Sequence, residues 1–447
     1  MKGSLKYIIF VALVFSMVLT ACQPTATATP VNVTEAQPAA TQSVENQSST
    51  TATSDQPVSL VIWEQSADWR IAALKATINA FETLHPNVTI KVESFPYVEY
   101  QTKINSAIKA GTAPDMIVDI GQWAVPIINA GLLAEIPSDV LSADTLKSDF
   151  YAGPANEAIV NGKVYMVPST TTMGSGGLIY NEDLLKEAGV SVPPKFSTWE
   201  EFMQAAQKCT KYDSDGKMTQ AGFSAHGVLE SFHLMAYVLQ EGDQIISDGK
   251  IAFDDANGLA AIQTYQDIFL KYKVDSPDFV GGLDGFPQGR VCMMDIGAWA
   301  GAAAKTQNSK LNIGYADPLP SVNPANPTYS QMDTAWQIIV PKASKNQDAV
   351  WEFLKFYSSQ SQYIARVAFD GELPPLKAAA ETFKDDPVMH AYVASADYSV
   401  YSGYKVDRDK FNNTVMSYEE KLARGQITPE EALKEMTTDL NAILAGQ

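Results

Sequence analysis

The sequence predicts an α/β fold, with parallel strands flanked by helices, in a chain long enough for more than one domain. Three observations carry this. Strand-like and helix-like stretches alternate from Val58 onward. Hydrophobic residues at 46% and charged residues at 19% are ordinary for a chain with a real core. At 447 residues the chain exceeds one typical domain. A β-α-β-α-β order calls for parallel strands joined by helical crossovers.

Val58 to Trp63 (VSLVIW) reads as the first strand. Asp68 reads as the N-cap of a helix in which Ile71, Leu74, Ile78 and Phe81 follow helical spacing, and Pro86 stops it. Val88, Ile90 and Val92 alternate as a half-buried strand does. Tyr97 to Ala110 is the second helix, with Gly111 at its end. Met116 to Ile120 is the third strand; it runs through Gly121-Gln122-Trp123 into an apolar helix closing at Gly131. Further strands are expected over 163–168, 177–181, 291–296, 313–318 and 335–341. Ser197-Thr198-Trp199-Glu200 has the form of a capping box for a helix to about Thr210, and helices follow near 231–240 and 256–272. The C-terminal part is mainly helical, with Thr428-Pro429-Glu430-Glu431 as an N-cap followed by proline. The polar, glycine-rich run from Ser169 to Gly176 reads as a crossing between lobes.

The N-terminus carries a targeting pattern. Lys2 and Lys6 precede an apolar run from Tyr7 to Leu19, short for a membrane span and typical of a secretory leader. Leu19-Thr20-Ala21-Cys22 resembles the bacterial lipobox, which implies removal of residues 1–21 and lipid attachment at Cys22. Residues 22–57, rich in Thr, Ser, Gln, Ala and Pro, read as a disordered tether. A formal charge of −19 argues against nucleic acid or anionic lipid as a partner. Cys209 and Cys292 are expected to be two unpaired, partly buried thiols. His85, His226, His233 and His390 have no paired spacing, so no metal and no cofactor is expected.

Several enzyme-like patterns dissolve on inspection. Gly174-Ser175-Gly176-Gly177 precedes a strand and not a helix, which makes a poor phosphate cradle. Asp213-Ser214-Asp215-Gly216 places its glycine too early for a calcium loop. What stands out is indole side chains with polar neighbours at strand ends: Trp63-Glu64, Gln122-Trp123, Ala298-Trp299 and Asp333-Thr334-Ala335-Trp336. An indole face with hydrogen-bonding groups around it suits a sugar, which has apolar ring faces and a rim of hydroxyls.

The order of several segments then points to a family. These are LVIW at 60–63, AFETLHPNVTIKVESFPYVEYQTKI at 80–104, AGTAPDMIV at 110–118, AGLLAEI at 130–136, GKVYMVPS at 162–169 and LIYNEDLLKEAGV at 178–190. TWEEFMQAAQK at 198–208, FPQGRVCMMDIGAWA at 286–300, VPKASKNQDAVWEFLKF at 340–356 and LPPLKAA at 373–379 complete the set. Behind a lipobox, this order resembles the extracellular solute-binding proteins of the family 1 type, the maltodextrin-binding-protein-like subunits of bacterial ABC transporters. The resemblance implies a two-lobed periplasmic-binding-protein-like fold (type II), each lobe a mainly parallel sheet flanked by helices. Lobe 1 would comprise 58–170 and 335–371, and lobe 2 would comprise 175–330 and 372–447. It implies a solute held between the lobes and handed to a membrane permease, hinge closure, and no catalysis.

Carried over by position, the resemblance puts ligand contacts on Asp119, Gln122 and Trp123, an aromatic platform on Trp299, and further contacts on Glu230, Phe232 and His233. Strand-end chemistry adds Trp63, Glu64, Asp333 and Trp336. Within the third-strand stretch, only Asp119 to Trp123 is expected to face ligand. The crossing TTTMGSGG and the segment QMDTAWQ depart from the family pattern, which bears on ligand identity and hinge stiffness and not on the fold. The expected protein is a lipid-anchored, monomeric, extracytoplasmic binding protein for a mono- or oligosaccharide. A polyamine or glycerol phosphodiester on the same scaffold, and a secreted carbohydrate-active enzyme, are the rival readings.

Overall fold

The computed structural model describes residues 56–226, 232–332, 335–401 and 408–446. The expected leader, Cys22 and nearly all of the tether lie outside the described residues, as do Glu230, Asp333 and the side chain of Phe232. Among the described residues no helix is long and apolar enough to cross a membrane.

β1 (Val58–Gln65) buries Leu60 and Ile62 completely. α1 (Asp68–Leu84) covers it with Leu74, Ile78 and Phe81, spaced to fall on one face. The residue at the N-cap position is Ala67, without a side-chain cap, so Asp68 lies inside the first turn and not at the cap as expected. A carboxylate there still meets the positive end of the helix dipole. β2 (Val88–Phe95) and α2 (Tyr97–Ala110) follow, and α2 stops at Gly111, whose φ of 68° places it in the left-handed region that favours glycine. β3 (Met116–Ile120) is buried throughout and passes directly into α3 (Gly121–Asn129). After α4 (Ala152–Ala158), the single strand expected over 163–168 is two pieces. Lys163–Val164 folds back on Ile159–Val160, and only β4 (Met166–Pro168) joins the sheet.

The chain then leaves for a second sheet. It runs through β5 (Leu178–Asn181), α5 (Trp199–Cys209), β6 (Met218–Phe223), α6 (Phe232–Glu241) and α7 (Ala256–Leu270). β7 (Val291–Asp295), α8 (Trp299–Gln307) and β8 (Ile313–Ala316) complete that half. β9 (Trp336–Ile339) returns to the first sheet; α9 (Gln360–Asp370), α10 (Arg408–Ala423) and α11 (Pro429–Leu444) follow. α5 is capped by Thr198, whose hydroxyl accepts from Glu201 N–H, one residue later than the expected Ser197 to Glu200 box. α11 carries a full capping box, with Glu431 reaching back to Thr428 and Pro429 in the first turn.

The first sheet has the order β2-β1-β3-β9-β4, the second β8-β5-β7-β6 with an edge piece at Lys211–Tyr212. β2, β1 and β3 are parallel, but β9 runs antiparallel to both β3 and β4. In the second sheet only β7 and β6 are parallel. The α/β class holds, while the sheets are mixed and not mainly parallel. β5 and β9, the strands that follow passages between the sheets, run against the neighbours they join. Each sheet has its own buried core, and α10 and α11 pack into that of the second through Phe411, Val415, Met436 and Leu440.

Two passages between the sheets lie side by side. Thr171 and Leu373 form an isolated antiparallel bridge, with Thr171 N–H donating to Leu373 O at 2.9 Å. A small cluster that includes Met173, Ala298, Leu373, Met389 and Tyr392 packs around them. The expectation of two free thiols is corrected: Cys209 and Cys292 are joined in a disulfide. Cys209 ends α5 and Cys292 lies in β7, so the bond staples a covering helix to its sheet with a Cα–Cα separation of 6.5 Å.

Candidate functional site

Side chains at strand ends of the first sheet converge on the second across a cavity of about 380 Å³. From the first half come Gln65 at the end of β1, Trp69 and Arg70 in the first turn of α1, and Tyr97 opening α2. Ile120 ends β3 and Trp336 begins β9, and these two are register partners, so both reach the same rim. Facing them are Phe286, Met294 and the α8 residues Trp299, Ala300 and Ala303. Thr172 and Glu372, one from each adjoining passage, close the back. Clefts of open α/β sheets form in this way beyond strand ends.

Trp299 can lie over its own turn because position 297 is glycine. A Cβ there would come within 2.5 Å of both the Trp299 indole and the Met173 carbonyl oxygen. The small residues Ala300, Ala303 and Ala304 of α8 then leave room beside the ring. On the opposite wall, the Arg70 guanidinium lies 4.1 Å from the Trp336 ring centroid, and Tyr97 stands edge-on to Trp336 at 6.5 Å. Trp336 is therefore held between a cation and an aromatic ring.

Four lining residues carry buried polar atoms with no hydrogen-bond partner of normal geometry among the described residues. They are Trp69 Nε1, Trp299 Nε1, Thr172 Oγ1 and Glu372 Oε2, of which the Thr172 hydroxyl and the Glu372 carboxyl still act on each other. That set offers two N–H donors, one hydroxyl and one carboxylate acceptor around a mostly aromatic space. Buried polar atoms are normally satisfied, so the two indole N–H groups without a partner on one cavity mark it as built for a polar solute.

Beneath the cavity lies a buried charge cluster. Arg70 Nε donates to Glu64 Oε1 at 3.2 Å, and Arg70 Nη1 donates to Glu372 Oε1 at 2.6 Å. Glu372 N–H donates to Asp370 Oδ1 at 3.0 Å. Burial raises the pKa of Glu64 and Glu372, with Arg70 opposing. Burial would lower that of Arg70, but Glu64 and Glu372 outweigh it and hold it above its ordinary value. Asp370 is pushed up to about 7 by burial and by neighbouring Glu372.

The expected site residues divide sharply. Trp299 and Trp336 are cavity walls. Glu64 lies just behind the wall, bonded to Arg70. Trp63 is turned into the sheet, edge-on to Phe95 at 5.0 Å, with its indole N–H donating to Glu93 at 3.1 Å. Asp119 is fully buried, and its Oδ1 accepts from Ile120 N–H. Burial raises its pKa well above the ordinary aspartate value, with Glu157 adding to the effect. Gln122 is buried at the start of α3. Trp123 bridges the two halves: it packs on Tyr97 at 5.7 Å, and its indole N–H points at Asp409 Oδ1 of α10, 3.5 Å away. Within this stretch the cavity is lined by Ile120, while Asp119, Gln122 and Trp123 stand behind it. His233 is also buried away from the cavity, its Nε2 3.1 Å from Asp295 O, and burial lowers its pKa to about 4.

Sequence reasoning missed Trp69, Tyr97, Thr172 and Glu372. Trp69 and Tyr97 sit in the first turns of the helices that follow β1 and β2, so the strand-end rule applied to helix starts would have found them. Nothing in the sequence around Glu372 marks it, because its place depends on the passage that pairs with Thr171.

No described cluster of His, Cys, Asp or Glu could hold a metal ion. Residues 76–391 match the family described as bacterial extracellular solute-binding protein. The chain is 24% identical over 341 residues to the maltotriose-binding protein of Pyrococcus abyssi, covering 74% of this chain and 70% of that one. It is 25% identical over 360 residues to the galactooligosaccharide-binding protein of Bacillus subtilis, covering 78% and 80%. Among solved structures, an ABC substrate-binding protein from Listeria monocytogenes in complex with cycloalternan shares the fold. That match has a TM-score of 0.70 and 23% identity, covering 87% of this chain and 100% of the other. With the family match spanning most of the folded part, the chain belongs to the bacterial extracellular solute-binding proteins.

Proposed function

We propose that this chain is the solute-capturing subunit of an ABC import system, that it takes a mono- or oligosaccharide, and that it does no chemistry on it. The observation that carries the reading is the cavity itself. Trp299 faces Trp336, Tyr97 and Trp69 across it, and the indole N–H groups of Trp69 and Trp299 have no partner among the described residues. Indole faces suit the apolar faces of pyranose rings, and the two indole N–H groups, Thr172 and Glu372 suit the hydroxyls. Relatives described as binding maltotriose and galactooligosaccharide support a saccharide over other solutes.

Capture would proceed by closure of the two sheet-centred halves about the paired passages at Thr171 and Leu373. The halves act as lobes, 58–170 with 335–371 on one side and 175–330 with α10 and α11 on the other, while Leu376 and Ala379 beyond the passage still pack on the first core. Arg70 and Glu64 belong to one lobe and Glu372 to a passage, so Arg70 holds the aromatic wall in register with the hinge. Trp123 and Asp409 meet across the lobes and would hold the closed form. The working site is extracytoplasmic, as for the family; the lipid at Cys22 and the tether to residue 57 would keep the protein at the membrane, within reach of its permease.

A thermal-shift and calorimetric screen of neutral mono- and oligosaccharides against the purified full chain tests this. The expected result is a saturable rise in melting temperature with at least one saccharide. A rise with polyamines and with no saccharide would overturn the reading, as would hydrolysis of a bound glycoside.

A further inference from the structure

The charges around the cavity have a sign. Arg70 is the one described cation among its lining residues, and its Nε and Nη1 are already engaged by Glu64 and Glu372. Two acidic side chains line the same space, Glu372 at the back and the exposed Asp284 on the opposite rim. Asp370 adds a third carboxyl behind Glu372. Arg366, the other buried arginine nearby, donates to the carbonyl oxygens of Tyr357 and Ser169 and lies over the rings of Tyr357 and Tyr363; it is not on the lining. Glu372 lines the cavity at only 6% exposure, and its Oε2 has no hydrogen-bond partner of normal geometry among the described residues. The hydroxyls of Thr170 and Thr172 already act on this carboxyl, a ligand donor would join them, and an incoming anion would face it in a poorly hydrated space.

We infer that this cleft selects neutral or amine-bearing saccharides over acidic ones, and that Glu372 sets the selectivity by accepting from a ligand hydroxyl or ammonium on Oε2. The inference rests on the saccharide reading above. Asp284 acts in the same direction from the rim. A uronate or sugar phosphate would need a free cation, and the lining arginine is already shared between two carboxylates. A 2-amino sugar brings a charged donor, which the neutral hydroxyls of Thr170 and Thr172 beside the carboxyl do not supply.

The test uses glucose, galactose and mannose, each in neutral, 2-amino and 6-carboxylate form, with neutral maltotriose as a longer probe. Each is titrated calorimetrically into the purified full chain at neutral pH and low salt. In any hexose series that binds, the neutral or amino form is expected to bind at least about tenfold more tightly than the uronate, which corresponds to about 1.4 kcal/mol. Glu372→Gln keeps the shape and removes the charge, and is expected to narrow that ratio to about threefold or less. Asp284→Asn, at an exposed position that does not threaten folding, is expected to narrow it by a smaller factor and carries the test if Glu372→Gln fails to fold. A uronate binding as tightly as its neutral form overturns the inference, as does a ratio that the folded variants leave unchanged. If no hexose form binds, the same comparison is made between the saccharide that the thermal-shift screen identifies and its 6-carboxylate form, with the same outcomes; if that screen identifies no saccharide, the saccharide reading itself falls and takes this inference with it.

Discussion

Arg70 Nη1 lies 2.6 Å from Glu372 Oε1, a bond between residues 302 positions apart in sequence. It ties the first turn of α1 to the passage that leads out of α9. The same guanidinium holds Glu64 at the end of β1 and lies over the Trp336 ring. One side chain thus links a strand end, an aromatic wall and a passage between the sheets. Arg70→Met leaves Glu64 and Glu372 buried without their cation. Removing one partner of a buried ion pair typically costs about 3–5 kcal/mol. Chemical denaturation should show a loss of that order; a change under about 1 kcal/mol would mean that the cluster is solvated and does not organise the site.

The disulfide gives a second stability prediction. Cys209 and Cys292 close a loop with a sequence separation of 83 residues between α5 and β7. Restricting the unfolded chain in this way typically contributes about 2–4 kcal/mol. Cys209→Ala combined with Cys292→Ala should lower the denaturation midpoint accordingly. An unchanged midpoint, or titratable thiols at both positions in the unreduced protein, would contradict the bond.

Stability should also fall as pH rises through neutrality. Burial pushes Asp295 and Asp370 up to about 7 and Glu419 up to about 8. Their unfolded values are near 4, so the folded state binds more protons than the unfolded one in between. The stabilisation is complete below about pH 4 and is lost as pH rises through 7 to 8. His233 works oppositely, because burial lowers its pKa to about 4, but that effect ends above the unfolded histidine value near 6.5. Between pH 6.5 and 8.5 only the carboxyl groups should be felt. The melting temperature should drop by several degrees across that window, and Asp370→Asn should flatten the slope. A melting temperature that rises over the window would refute the assignment.

The fold was largely legible from residue patterning, and the site only in part. The apolar run Val58–Trp63 located β1, and helical spacing from Ile71 to Phe81 located α1, because what each buries is a local property of the sequence. The direction of β9 was not local: it depends on how the chain returns from the second sheet. The same limit applies to the cavity. Trp299 and Trp336 sit where their strand-end positions suggested. Trp63 and Trp123 share that sequence signature, yet one turns toward Phe95 and Glu93 and the other toward Tyr97 and Asp409. Which face of a strand end an indole takes is decided by neighbours far away in sequence. The pairing of Cys209 with Cys292 escaped for the same reason, since it needs the packing of α5 on β7.

The central claim is that a saccharide ring lies against Trp299 in the cavity shared by the two halves. Calorimetric titration of Trp299→Ala against the unaltered protein, with the saccharide that raises its melting temperature most, tests this directly. Trp299 is half-buried on an open wall, so the exchange should leave the fold and the melting temperature of the free protein nearly unchanged. A central aromatic contact typically contributes about 2 kcal/mol or more, so affinity should fall by roughly thirtyfold or more. Affinity equal to that of the unaltered protein, in a variant with intact circular dichroism, would contradict the account.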